Sequence, residues 1–331
     1  MDSSQSIFHE LLGEFAPEPS KKLSIAQSDT SFRFVHYTSL ENAFSIVQNK
    51  EIWMRNLLCM NDFSEFQYGF SCWCEVYDNS IAGAKFKKLL DNIHPNLCAN
   101  LHLVFNNGVK AYANRTYVFS LSEHKQQEDQ FGRLSMWRAY GGNSGVAIVL
   151  NKEPFIFPSD ALNAYTFPVN YSDHAGFSSQ FNTMVEYLED NVTELKIVPP
   201  HLIFGVISYL FQYFVLCTKH PGFSEEKEWR VVYTEQDENI ENSVNSTALI
   251  KSIEIINGIP QFVFKIPLKN IIGKTSEASL TGIEVPEVLN KVIIGPNEYS
   301  MVARDAVLEI LKSNQVPDYQ KKVTVSDIPI R

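Results

Sequence analysis

Gly222-Phe-Ser-Glu-Glu-Lys-Glu-Trp-Arg-Val-Val-Tyr233 opens as a turn, with Pro221 and Gly222 breaking what precedes it, and runs into Trp229, Val231, Val232 and Tyr233. β-branched and aromatic residues at that density read as a strand with a carboxylate-rich entry. Side chains alternate along extended backbone. The pattern therefore predicts Glu226, Glu228 and Arg230 on one face and Lys227, Trp229 and Val231 on the other. Two carboxylates and a guanidinium at the mouth of a strand fit either an exposed, salt-bridged face or a site that uses the charge.

Working outward, the 331 residues are 44% hydrophobic and 20% charged, ordinary for a globular chain with a sizeable core. A formal charge of -10 argues against broad non-specific nucleic-acid binding, which needs Lys and Arg to displace counterions. Five cysteines without framework spacing suit reduced thiols, and Cys72-Trp-Cys74 lacks the second pair that a zinc site needs, so no metal is expected. Met1 to Ser6 has neither a basic nor an apolar stretch of the secretory kind, and the expected location is cytoplasmic. The longest apolar run, Leu202 to Cys217, is interrupted by Ser208 and Gln212. It reads as a buried core helix, with no membrane partner expected.

Residues 1–30 form a polar N-terminal segment, with a short helix around Ile7–Phe15 and then a linker. Residues 31–331 read as one α+β catalytic-type domain. Phe32 to Tyr37 is a strand, Ser39 an N-cap, and Leu40, Ala43, Phe44 and Val47 carry a helical period to Asn49. Glu51 to Met54 is a second strand. Helical insertions are expected at about 81–112, divided by Pro95, and at about 174–220, divided by Pro199-Pro200. Arg115–Leu121, Gly145–Leu150, Tyr165–Tyr171, Phe262–Ile266 and Lys291–Ile294 are further strands. Scattered short strands with irregularly spaced helices predict α+β with a mixed sheet.

Several residues invite chemistry. His36 and Thr38 sit at a strand-to-helix junction, where ligands often meet free backbone amides. Trp137 and Tyr140 are three apart on a short helix ended by Gly141-Gly142, fitting core packing or a stacking surface for a flat heterocycle. Arg138 beside them can pair with phosphate or sit in solvent. Asn61, Asp62 and Glu65 fit the cap of the helix that follows. No G-x-G-x-x-G or P-loop spacing occurs.

Four blocks, His36-Tyr-Thr-Ser39, Met60-Asn-Asp-x-x-Glu65, Met136-Trp-x-x-Tyr-Gly141 and Phe223-Ser-x-Glu-x-Glu-Trp-Arg230, together resemble a bacterial family catalogued as a domain of unknown function. The same layout resembles, more distantly, the ADP-ribosyltransferase superfamily. His36-Tyr-Thr followed by Ile46 and Ile52 is similar to its His-x-Thr opening. Tyr117-Val-Phe-Ser120 stands where its Ser-bearing middle strand falls, and Glu226-Lys-Glu228 resembles its Glu-x-Glu strand.

That resemblance implies an α+β fold with an ADP-ribosyltransferase-like core of two small mixed sheets. It implies NAD as substrate, with His36, Tyr37, Thr38, Ser120, Trp137, Arg138 and Tyr140 as the cofactor-binding set. Glu228 would stabilise an oxocarbenium-like transition state, Glu226 would act on the acceptor nucleophile, and His36 would assist at the ribose. The acceptor macromolecule is open, and a role as a toxin or anti-phage effector rests on the family analogy. An NAD glycohydrolase and a non-catalytic nucleotide-sensing or interaction module are the alternatives.

Overall fold

A computed structural model describes residues 11–329 apart from 12, 60–62, 107–112, 143, 158, 160, 236–246, 276 and 277. The expected caps at Asn61 and Asp62 lie outside the described residues, as does most of the helix expected at Ile7–Phe15.

The elements run α1 (Pro17–Ser28), β1 (Arg33–Ser39), α2 (Leu40–Asn49), β2 (Glu51–Asn56), α3 (Phe63–Asn79), α4 (Ile81–Ile93) and α5 (Leu97–Asn106). Then follow β3 (Thr116–His124), α6 (Leu134–Tyr140), β4 (Gly145–Asn151), β5 (Tyr165–Pro168), β6 (Asn170–Tyr171) and α7 (His174–Asp190). The rest comprises α8 (Pro200–Leu216), β7 (Thr218–Lys219), β8 (Glu228–Thr234), β9 (Ile250–Ile256), β10 (Ile259–Pro267), β11 (Leu289–Ile294), α9 (Ser300–Ser313) and β12 (Val323–Val325).

The chain divides into two compact units. One comprises residues 1–25, 57–115 and 167–224, the other residues 26–56, 116–166 and 225–331. The first unit is mainly helical and gathers both expected insertions. Trp73 anchors its core, with ring centroids 5.1 Å from Phe211 and 5.8 Å from Phe181. A Cβ on Gly69 of α3 would stand 2.4 Å from the Val215 carbonyl oxygen of α8, so glycine permits that close crossing. α8 takes in most of the run from Leu202 to Cys217. Its Ile203, Val206, Leu210 and Phe214 are buried, and no helix among the described residues is long and apolar enough to cross a membrane.

The second unit holds a ten-stranded mixed sheet whose main path is β12-β11-β4-β1-β3-β2-β10-β9, with β8 pairing β3 and β5 pairing β8. The sequence led us to expect two small sheets. A ten-stranded sheet and a separate parallel pair, β6 with β7, form instead, the large sheet because β3 pairs β1 and β2 along one edge and β8 along the other. Ser39 caps α2 as expected, its Oγ accepting from the Asn42 N–H at 3.2 Å. The linker expected after Phe15 is in fact a helix. Pro17 starts α1, and at its other end Lys152 Nζ donates to the carbonyls of Ala26 (2.6 Å), Gln27 (3.0 Å) and Asp29. Strand β9 was absent from the sequence reading, although Asn257-Gly258 between two β-rich runs is a strong hairpin signal.

Candidate functional site

The site is built on one edge of β3. Strand β1 pairs there through Arg33↔His124, Phe34↔Glu123 and Val35↔Ser122 and then parts from it, while β2 takes the same edge at Arg55↔Val118 and Asn56↔Tyr117. Phe119 to Leu121 face the parting, and α2 connects the two departing strands.

His36 is the first residue of β1 beyond the last pair. Its Nδ1 lies 3.0 Å from the Ser120 carbonyl oxygen. A carbonyl only accepts, so Nδ1 carries the proton and Nε2 the lone pair. The ring packs on Phe119 at 4.8 Å between centroids and lines a small cavity of about 20 Å³ with Ile46, Ile52, Ile148 and Leu150. Burial disfavours the imidazolium and pushes the His36 pKa down to about 4, against a smaller upward pull from the Ser120 carbonyl. Thr38 is buried, and its Oγ1 accepts from Asn42 Nδ2 at 3.1 Å. Both side chains hold the strand-to-helix junction.

The register decides which residues meet. Val35 stands opposite Ser122, and Ser122 opposite Glu228, so these three share a face of the sheet. Ser120 and Arg230 form the next pair on that face. His36 and Thr38 alternate to the opposite face, with Phe119, Leu121 and Trp229. The strands carrying His36, Ser120 and Glu228 are neighbours in the order β1-β3-β8, but His36 is on the far side of the sheet from the other two.

On the Glu228 face, the carboxylate is 6% exposed and Arg230 1% exposed. Arg230 Nε donates to Glu228 Oε1 at 2.9 Å, and a terminal nitrogen donates to Oε2 at 3.4 Å. A buried carboxylate keeps its charge only when paired in this manner. The Ser120 Oγ is buried and has no hydrogen-bond partner among the described residues.

Glu226 departs from the expectation. It ends a 3-10 turn, Pro221–Glu226, and Lys227 follows in the left-handed region with φ 46°. The strand starts only at Glu228. Glu226 and Glu228 therefore do not share a strand face, because the left-handed residue between them breaks the alternation. The Glu226 Oε1 instead accepts from the Tyr140 hydroxyl at 3.1 Å.

Arg133 holds this loop. Its guanidinium donates to the carbonyls of Glu225 (2.9 Å), Glu226 (3.1 Å) and Glu123 (2.8 Å), and to the Glu128 carboxylate at 3.1 Å. Its backbone N–H donates to the Tyr37 hydroxyl at 2.9 Å. Burial pushes the Tyr37 phenol up to about 12, so it stays neutral. Nothing in the local sequence pattern marks Arg133, since its partners lie between 5 and 96 residues away.

Trp137 and Tyr140 take different roles. The Trp137 ring is buried 4.9 Å from Tyr37 in a cluster with Val35, Met136, Ala147, Val149 and Ile293, and its Nε1 donates to the Phe131 carbonyl at 2.8 Å. Tyr140 is 43% exposed and Arg138 is exposed. Of the two aromatics expected to stack on a ligand, only Tyr140 presents its ring outside the core. No group of three or more His, Cys, Asp or Glu able to hold a metal occurs among the described residues, and no disulfide joins the five cysteines.

No curated protein and no solved structure matches this chain. Residues 136–231, which carry Trp137, Tyr140, Glu226, Glu228 and Arg230, match the model of a family described as protein of unknown function (DUF2971), in line with the expectation of a domain-of-unknown-function family.

Proposed function

We propose that this protein is an NAD-dependent ADP-ribosyltransferase whose chemistry belongs to the sheet face bearing Glu228 and Ser120. The observation that carries the reading is the adjacency of β1, β3 and β8, which brings side by side the three strands that resemble the superfamily's motif-bearing strands. In this reading the bond between C1′ of the ribose and the nicotinamide nitrogen breaks, and nicotinamide leaves with the electron pair. The Glu228 carboxylate stabilises positive charge growing on the ribose, and a preorganised group of that kind is typically worth about 3–4 kcal/mol. The Ser120 hydroxyl offers a hydrogen bond, the Tyr140 ring a stacking surface, and Arg138 a charge for the diphosphate.

Glu226, at the rim with Tyr140, accepts the proton of the attacking nucleophile. Water as that nucleophile makes the same site an NAD glycohydrolase. His36 and Thr38 serve as positioning residues, since the His36 Nδ1–H holds the Ser120 carbonyl from the other face. A second reading, a nucleotide-binding module without turnover, is favoured by the engagement of both Glu228 oxygens by Arg230.

The test is to incubate purified protein with NAD and follow free nicotinamide, for wild type and Glu228→Gln in parallel, with a thermal-shift titration by NAD on both. Release that disappears in the variant supports the transferase or hydrolase. A thermal shift without release, unaltered by Glu228→Gln, supports the binding module. Silence in both assays overturns the NAD reading.

A further inference from the structure

Strand β9 ends the main path of the sheet, and among the described residues no strand pairs with its outer edge. Asn257 (φ 52°) and Gly258 (φ 79°) form the two-residue turn to β10, with Ile256 opposite Ile259. In such a hairpin the pair flanking the turn is hydrogen-bonded, and bonded pairs then alternate along the ladder. Ile250, Ser252, Glu254 and Ile256 therefore turn their amides toward β10. Lys251, Ile253 and Ile255 turn theirs outward.

Unprotected edges are usually guarded by charge. Here both charges on β9 are neutralised by partners in the same chain. Lys251 Nζ lies 2.6 Å from Glu235 Oε1 and over the Phe262 ring at 4.8 Å, and Glu254 pairs with Lys265 at 2.7 Å. The apolar residues are left in solvent, with Ile253 63% and Ile255 73% exposed. An edge strand with outward-turned amides and these side chains invites another strand.

We propose that β9 is a homodimer edge, on which a second copy of this chain pairs antiparallel across a two-fold axis through Ile253. The edge is self-complementary in that register. Ile253 meets its own counterpart, Lys251 meets Ile255, Ser252 meets Glu254, and Ile250 meets Ile256. The three outward-facing amides of each strand then fall opposite one another, and no charge faces a like charge. A two-fold axis normal to the sheet preserves faces, so the register has to pair residues of equal parity, as this one does. The inference is independent of the proposed chemistry.

The experiment is a concentration series by analytical ultracentrifugation on wild type and Ile253→Pro. Because the Ile253 N–H points outward, proline there leaves the β9–β10 ladder intact while removing a donor from the dimer contact. Wild type is expected at twice the 37.7 kDa chain mass and Ile253→Pro at the single mass, with an unchanged far-ultraviolet circular dichroism spectrum. Ile253→Lys serves the same purpose if the proline variant fails to fold.

The register is read separately in a Cys59→Ser background. Bonded antiparallel partners lie about 5.5 Å apart at Cα, within disulfide range, so Ile253→Cys is expected to cross-link to itself under mild oxidation and Ser252→Cys is not. A single-chain mass for wild type at every concentration up to about 100 µM, well above the dissociation constants typical of specific dimers, overturns the proposal. So does a dimer that survives both substitutions.

Discussion

Glu228 and Arg230 are two residues apart on one face of β8, joined at 2.9 Å and both almost completely buried. Removing one partner of such a pair strips a buried charge of a close, charge-assisted contact. We expect Arg230→Met to cost about 3–5 kcal/mol in denaturant unfolding. Glu228→Gln keeps the shape and a hydrogen-bond acceptor, so it is expected to cost less than Arg230→Met. A Glu228→Gln cost equal to or above that of Arg230→Met would contradict the account of this pair.

The half-buried imidazole of His36 gives a pH dependence with a definite sign. Its folded pKa, about 4, lies below the unfolded value of 6.5, so the unfolded chain binds the proton first as pH falls. The stability associated with a neutral His36 is present above pH 6.5 and is lost as pH drops toward 4. The full effect is at most about 3 kcal/mol, less whatever solvent at the half-buried ring offsets. His36→Gln is expected to flatten the unfolding free energy between pH 6.5 and 4 relative to wild type. Identical pH slopes for the two proteins would contradict this.

Arg133 joins Glu123, Glu128, Glu225 and Glu226 with a fork of donors that lysine cannot reproduce. We expect Arg133→Lys to lose about 2–4 kcal/mol, from two or more charge-assisted hydrogen bonds. Faster amide exchange around Lys227 and Glu228 is expected to accompany it. Lys227, at φ 46°, offers the converse test. Lys227→Gly relieves the left-handed strain at the cost of a looser unfolded chain, for a net gain of up to about 1 kcal/mol.

Gly132 has φ 69°, and a Cβ there would stand 2.4 Å from Cζ2 of Trp137. Gly132→Ala is expected to displace that ring from the core cluster, at a cost of about 2–3 kcal/mol. A shifted Trp emission spectrum and a lower melting temperature check it. Unchanged spectra would show that the ring has room the packing denies it.

Lys152 binds three carbonyls at and just beyond the end of α1, where the last helical carbonyls lack the next turn's amides. Lys152→Met keeps the aliphatic stem and removes the donors. The expected loss is about 2–4 kcal/mol, read by chemical denaturation.

Much of the local structure was legible in the residues. The Ser39 cap, the break at Pro95, the buried helix at Pro200–Leu216 and the strand through Trp229–Tyr233 all follow from near-neighbour rules. Helix α1 was missed because Pro17 and Pro19 read as linker residues, while the groups that end the helix on Lys152 are more than 120 residues from it in sequence. Arg133 escaped notice for the same reason: its significance lies in distant carbonyls.

The amino-acid sequence by itself determined which side chains alternate within each strand. It set His36 and Thr38 on one face of β1, and Glu228 and Arg230 on one face of β8. Whether those two faces coincide depends on the pairing of both strands with β3, where a shift of one residue exchanges every side chain between the two sides. Only the tertiary structure made that choice. It aligned Val35, Ser122 and Glu228 on one side and left His36 on the other, and through the left-handed turn at Lys227 it removed Glu226 from the strand that its spacing had suggested.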